Sequence, residues 1–474
     1  MEPRPPGVPT HDVGESLGHS SLTRRGLMTL AGAGMALGAL GESTAQAATQ
    51  PRSEGGAAMP RTSGGASGAD RASTVTPRIL SGDRYPIGMW WPPHPFATND
   101  ARYREIAEAG FTFVLGGNYL NDVPISQWAL AAAERAGLDF IPVDSELSVL
   151  THTFDAGGAP DAPFMLSDAE AREGVRRALP RYPGPAFAGI NLFDEPSSPK
   201  FATLAKYVAA MRELAPEALP YVNLLPSNDI TYAREFVRVV APSMVSFDRY
   251  PLLLGGDDPN WFDNLQDVRT VGLEAGIPYW VFIQSIKYAG HRMPTAAELR
   301  WQVGICLAYG YKGIQYFTYW TPDPARGEAF EPALVTVEGE RTSLWYAAKD
   351  VNRALQAAGT QILPLTSQSV GVTAVPSPPA GLPAFVPDTW VQAATGAPVV
   401  IGQFAAEPDA ATRTLIVTNY SHDAPAHATL TFGADVTRIE LTELPGRRPP
   451  RTVSNPSRIR LAAGGFVVVR LTRG

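Results

Sequence analysis

Cysteine is almost missing: Cys306 is the one thiol in 474 residues. That excludes an internal disulfide framework and any cysteine-based metal cluster. Basic charge is scarce too, with 39 Lys and Arg against 46 Asp and Glu and a formal net charge of −7. Such a balance offers no electrostatic footprint for nucleic acid or for an anionic membrane surface. The apolar run from Leu27 to Leu40 is glycine-rich and falls short of the roughly 20 residues that a bilayer span requires. The 7 histidines are scattered, with no His-x-x-x-His pair, so neither a metal nor another cofactor is expected. No Gly-x-Ser-x-Gly elbow occurs, and Gly116-Gly117-Asn118 is too short a glycine turn to cradle a nucleotide.

What remains is ample for a folded protein. Hydrophobic residues make up 45% of the chain, alongside 9 Trp, 16 Tyr and 19 Phe, enough for a large core and a generous aromatic stock. Ser21-Leu22-Thr23-Arg24-Arg25-Gly26-Leu27-Met28 sets a twin arginine before the apolar run, and Ala45-Gln46-Ala47 follows as a small-x-small cleavage site. Residues 1–47 are therefore expected to be a twin-arginine export signal, which carries a folded chain out of the cell, either secreted or held at the wall. Residues 48–80, poor in large apolar side chains, are expected to be a disordered linker.

From there the chain alternates short apolar runs with amphipathic stretches. The runs are Tyr85 to Trp91, Phe111 to Gly116, Leu138 to Val143, Phe187 to Phe193, Leu219 to Leu225, Met244 to Tyr250, Pro278 to Gln284 and Gly313 to Trp320. Helical patterns follow each, closing with Ser343 to Ala358, and Thr295-Ala-Ala-Glu298 reads as a capping box. Gly110, Gly137, Gly276 and Gly310 mark helix ends. Eight strand–helix units predict a (β/α)8 barrel over 81–362, with Cys306 as a small core residue inside a helix. After Leu363 the runs become short and β-branched, with turns about every ten residues, which predicts an antiparallel β-sandwich over 363–474. Covering the side of the barrel is its simplest role.

Barrel chemistry sits at the carboxyl ends of the strands. Run four ends in Asn191-Leu192-Phe193-Asp194-Glu195-Pro196, and strict alternation turns Asn191, Phe193 and Glu195 inward, leaving Asp194 on the outer parity unless the strand end at Pro196 turns it in. Run six, Val245-Ser246-Phe247-Asp248-Arg249-Tyr250, points Ser246, Asp248 and Tyr250 inward. Asp248 reads either as a site carboxylate or as the structural partner of an arginine such as Arg249. Other strand ends supply Trp91, His94, Asn118, Asn223, Gln284 and Trp320. Aromatic faces stack on sugar rings while amides and carboxylates bind hydroxyls, so these are candidate carbohydrate contacts.

A strand-four Asp194-Glu195-Pro196, aromatic strand ends and a trailing sandwich together resemble clan-A-type glycoside hydrolases, from about Tyr85 to the C-terminus. The resemblance implies hydrolysis of O-glycosidic bonds, with Glu195 as general acid/base. Two positions depart from the pattern: Asp194 stands where the clan has Asn, and Gln284 stands where its strand-seven nucleophilic glutamate would fall. Three alternatives stay open. Asp248 serves as nucleophile or base; or Asp194 and Glu195 resemble the pair of substrate-assisted hexosaminidases; or the barrel binds glycan without cleaving it. A polysaccharide lyase is less favoured, because a uronate needs cations and lysines are few. A carboxyl separation of about 5 Å would mark a retaining pair and about 6.5–9.5 Å an inverting one.

Overall fold

The computed structural model describes residues 75–119, 122–147, 166–323, 325, 329–444 and 449–474. The expected export signal, and the expected linker as far as residue 74, lie outside the described residues. The described chain belongs to one compact unit, Ser63–Gly474.

Parallel strands alternate with helices: β1 (Ile87–Met89), α1 (Asp100–Glu108), β2 (Phe113–Leu115), α2 (Val123–Ala136), β3 (Asp139–Ile141), α3 (Asp168–Ala178), β4 (Gly189–Asp194), α4 (Phe201–Leu214), β5 (Leu219–Leu224), α5 (Ile230–Val240), β6 (Val245–Asp248), α6 (Trp261–Ala275), β7 (Tyr279–Gln284), α7 (Ala296–Tyr309), β8 (Gly313–Phe317) and α8 (Ser343–Ile362). The main sheet runs β1-β8-β7-β6-β5-β4, and β2 pairs with β3. Backbone bonds from Thr112 N to Ile87 O (2.8 Å) and from Asn191 N to Pro142 O (2.9 Å) join that pair to both edges of the sheet. The ring is a (β/α)8 barrel, as the spacing of apolar runs predicts.

Local chemistry explains the boundaries. Ser167 with Glu170 and Thr295 with Glu298 form reciprocal capping boxes that satisfy the first N–H groups of α3 and α7. Gly137, Gly276 and Gly310 end α2, α6 and α7 in the left-handed region, where a Cβ would be strained. Inside the barrel, Phe113, Leu115, Ile141, Leu219, Tyr221, Trp280 and Phe282 pack into one cluster with Ile79. Ile79 belongs to a helical turn, Arg78–Ser81, and Arg78 donates to Asp139 at 2.7 Å. The folded part therefore begins inside the expected linker, because a short apolar plug leaves almost no compositional trace.

Beyond α8 come β9 (Thr366–Val372), β10 (Val391–Gly396), β11 (Val399–Ala405), β12 (Thr412–Asn419), β13 (Ala426–Phe432), β14 (Val436–Glu443), β15 (Arg451–Thr452), β16 (Ser457–Leu461) and β17 (Phe466–Arg473). They form two antiparallel sheets, β9-β11-β12-β17-β14-β15 and β10-β13-β16, with an apolar cluster between them. Strand β10 escaped the sequence reading because Gln392, Ala393, Ala394 and Gly396 lack the β-branched signature.

Helix α7 lies between barrel and sandwich, so it is buried from Gln302 to Tyr309 with no polar face, Cys306 included. Contact with the sandwich is close: a Cβ at Gly402 of β11 would sit 2.0 Å from the Ala308 carbonyl oxygen. The same seam carries a charged cluster. His422 Nε2 meets Asp257 at 2.9 Å, its Nδ1 approaches Glu298 at 3.6 Å and Asp423 at 3.1 Å, and Arg292 pairs with both Asp257 and Glu298.

Two outcomes are expected. Gly402→Ala forces backbone apart and should cost about 2–3 kcal/mol in urea unfolding, whereas Gly255→Ala, with open space around it, should be near neutral. His422 has a raised pKa, chiefly through its hydrogen bond to Asp257. Its stabilisation is thus fully present below the unfolded value and lost as pH rises through the folded one. The melting temperature of the wild type should fall more between about pH 6 and about pH 8 than that of His422→Gln. Parallel curves for the two proteins would contradict the assignment.

Candidate active site

Strand β4 does not keep strict alternation. A bulge between Asn191 and Phe193 shifts its register against β5, so that Asp194 pairs with Asn223. Leu192 and Phe193 both turn into the core between barrel and helices, where Lys200 lies 4.8 Å over the Phe193 ring. Asp194, assigned by alternation to the outer face, is carried inward beside Asn223. Phe193, assigned inward, is carried out. The cause is one extra residue in the strand, which reverses parity beyond it.

Glu195 follows in the left-handed region at φ 52, a conformation that costs a non-glycine residue about 1–2 kcal/mol. Its N–H donates to Asn223 O at 2.8 Å, and Tyr232 of α5 donates to Pro196 O at 2.5 Å. These bonds hold the turn and aim the Glu195 side chain at the end of β6. There the Glu195 carboxyl is hydrogen-bonded to Asp248.

Asp248 is 8% exposed and is met by three donors: Asn223 Nδ2 at 2.7 Å, the Tyr250 hydroxyl and the Glu195 carboxyl. Arg249 is no partner to it, since its guanidinium binds Asp258 and Asn228. Among the described residues no cation is paired with the cluster, and all three carboxyls are raised above the ordinary range. For Glu195 the cause is burial first, then the charges of Asp248 and Asp194. Asp194 rises through burial and the Asp248 charge, tempered by an Asn223 hydrogen bond. Asp194 is nonetheless exposed to solvent, so water moderates that rise. In Asp248, burial raises the value while Asn223, Glu195 and Tyr250 lower it. The three groups titrate as a unit, and the firmest proton rests on Glu195, donated to an ionised Asp248.

The other expected contacts divide. Asn223 and Tyr250 join the carboxyls, and Tyr250 stacks on Phe317 at 5.1 Å and meets Tyr288 and His291 edge-on. Gln284 differs from the expected sugar-facing amide. It is fully buried, its Oε1 accepts from Leu252 N at 3.0 Å, and its Nε2 donates to Arg292 O at 2.7 Å and Ile286 O at 3.2 Å. The backbone of two loops consumes its hydrogen-bonding capacity. Trp320 also departs from expectation: it is 3% exposed, in the barrel–helix core, with Arg102 over its ring. Trp91 packs against that same core, whereas its neighbour Trp90 joins the barrel cluster edge-on to Phe282. His94 is exposed and stacks on Phe96, with its Nδ1 capping the turn Pro95–Ala97. The side chain of Asn118, in the turn after β2, lies outside the described residues.

Sequence reading missed Tyr221, Gln315, Tyr288 and His291. The first two sit inside apolar runs as single polar atoms. The last two lie in the loop after β7, where no periodicity operates. Among the described residues no group of three His, Cys, Asp or Glu side chains has the arrangement to hold a metal ion, and no helix is long and apolar enough to cross a membrane.

No protein-family model matches the chain, and no curated protein matches it. Solved structures with a similar chain path include a β-galactosidase from the haloarchaeon Halorubrum lacusprofundi, at 14% identity and a TM-score of 0.45 over 57% of this chain. An exo-β-1,4-mannosidase from an Opitutaceae bacterium gives 18% identity and 0.42 over 62%. The chain spans 58% and 63% of those two proteins' lengths. An α-galactosidase from Mortierella vinacea gives 13% identity and 0.47, covering 86% of this chain and 100% of its own. Likenesses of this size transfer neither activity nor substrate, and the (β/α)8 barrel with its β-sandwich is read from this chain's own strand order.

Gln284→Glu is expected to destabilise by about 3 kcal/mol or more, because a carboxylate there faces backbone carbonyls. Thermal unfolding measures it; an unchanged or raised melting temperature would contradict the assigned bonds.

Proposed function

We propose that the chain is a secreted glycoside hydrolase acting on O-glycosidic bonds of a polysaccharide or glycoconjugate, exported by its twin-arginine signal. The observation that carries this reading is the hydrogen-bonded Glu195–Asp248 contact, with the firmer proton on Glu195, in a barrel mouth where the described residues bring no cation to the pair. Glu195 is the general acid. It gives its proton to the glycosidic oxygen, and the positive charge developing at the anomeric carbon is met by the carboxylates of Asp248 and Asp194. Once that proton has gone, Glu195 is the base that accepts one from the incoming water.

Hydrogen-bonded carboxyls are nearer than the roughly 5 Å of a retaining pair, so substrate must enter between Glu195 and Asp248 or beside them at Asp194. The open face of Asp194 favours the second route. Sugar rings stack on the partly exposed Tyr250 and Phe317 and on the exposed Phe96, and Asn223 holds the carboxylates. Bound Gln284 supports a second reading, carbohydrate binding without cleavage, since strand seven then supplies no carboxylate.

Glu195→Gln is expected to lower kcat/KM on aryl glycosides or polysaccharides about 10²–10⁴-fold with the fold intact by circular dichroism. The wild-type profile should be bell-shaped. Its acid limb should lie above the ordinary carboxylate range, because Asp194 and Asp248 are both raised, and its alkaline limb should vanish with Glu195. Glycan binding with no product from the wild type would favour the second reading, and full activity in Glu195→Gln would sink the first.

A further inference from the structure

Behind Asp248 a chain of buried polar groups crosses the barrel interior. Asn223 donates through Nδ2 to Asp248 and accepts through Oδ1 from Ser246 Oγ at 2.9 Å. Ser246 Oγ accepts from Gln315 Nε2 at 3.0 Å, the Tyr221 hydroxyl donates to Gln315 Oε1 at 2.8 Å, and Tyr221 and Ser246 oxygens lie 3.0 Å apart. Tyr221, Ser246 and Gln315 are fully buried, on β5, β6 and β8. Apolar side chains fill barrel interiors at lower desolvation cost, so this network calls for a reason beyond packing.

Proton counting supplies one. Two hydroxyl protons serve three oxygen–oxygen contacts. With the Tyr221 proton on Gln315 and the Gln315 amide on Ser246, the Ser246 proton is free for Asn223 Oδ1. That bond decides the orientation of the Asn223 amide, because a flipped amide would set its N–H donors against the Ser246 O–H and turn Oδ1 onto the Asp248 carboxylate, acceptor against acceptor. Each bond also polarises the next. We propose that Ser246, Gln315 and Tyr221 are positioning residues whose relay locks the Asn223 N–H toward Asp248 and thereby holds Asp248 as the acceptor facing Glu195. The proposal rests on the reading of Glu195 and Asp248 as the reacting pair.

Asp248 is faced by Glu195 and Asp194 from β4, by Asn223 and the more distant Tyr221 from β5, and by Tyr250 from its own following loop. Removing the Asn223 donor removes one of the contacts that favour its ionised form. Ser246→Ala should therefore move the acid limb of kcat/KM upward by about one pH unit, with Ser246→Thr returning it. Tyr221→Phe, which leaves the Ser246–Asn223 bond in place, should move it less.

The same variants are followed by carboxyl-carbon NMR titration of aspartate-labelled protein, with the Asp248 signal assigned by its loss in Asp248→Asn. A raised Asp248 midpoint in Ser246→Ala, restored by Ser246→Thr and smaller in Tyr221→Phe, supports the relay even if no glycoside is turned over; in that case only the reading of the reaction fails. An unmoved midpoint in folded Ser246→Ala, or equal shifts in Ser246→Ala and Tyr221→Phe, overturns it.

Discussion

One constraint organises the mouth of this barrel: three carboxyls converge where, among the described residues, no cation neutralises them. A buried carboxylate without a partner is expensive, and the cluster meets that cost by keeping a proton on Glu195 and surrounding Asp248 with donors. Much of the local architecture serves this arrangement. The β4 bulge swings Asp194 inward, the left-handed turn at Glu195 delivers its carboxyl to β6, and Asn223 bridges the strands between them. Strain at Glu195 is tolerated because bonds on both sides of the turn determine its path.

The rest of the molecule holds these strand ends still. Gln284 is a fastener between the loops after β6 and β7. Helix α7 underlies it, with Gln302 bound to the Gln284 backbone at both N and O. The sandwich in turn clamps α7 from outside. A support running from sandwich to helix to strand end gives the second domain a mechanical role without requiring that it touch substrate.

How far the sequence alone reached depended on whether a residue's role was periodic. Helices such as Phe201–Leu214 and Ile230–Val240 were legible to the residue from their amphipathic spacing, and Asp229 caps the second. Glu195, Asp248, Asn223 and Tyr250 were picked out as strand-end groups, and the structure gathers them together. Parity failed at one point, Asp194 and Phe193, because a bulge leaves no signature in a run of apolar residues. Side chains whose neighbours come from distant loops were opaque: the burial of Trp320 under Arg102 and the engagement of Gln284 depend on backbone far away in sequence. Tyr221, Ser246 and Gln315 show the same limit, for their significance lies in a mutual arrangement across strands.

The central claim is that Glu195 keeps its proton at neutral pH against an ionised Asp248. Infrared difference spectroscopy of the carboxyl stretching region reads this directly. The wild type at neutral pH should show a protonated-carboxyl band that loses intensity in Glu195→Gln and shifts in frequency in Asp248→Asn. A wild-type spectrum identical in that region to that of Glu195→Gln would contradict the account.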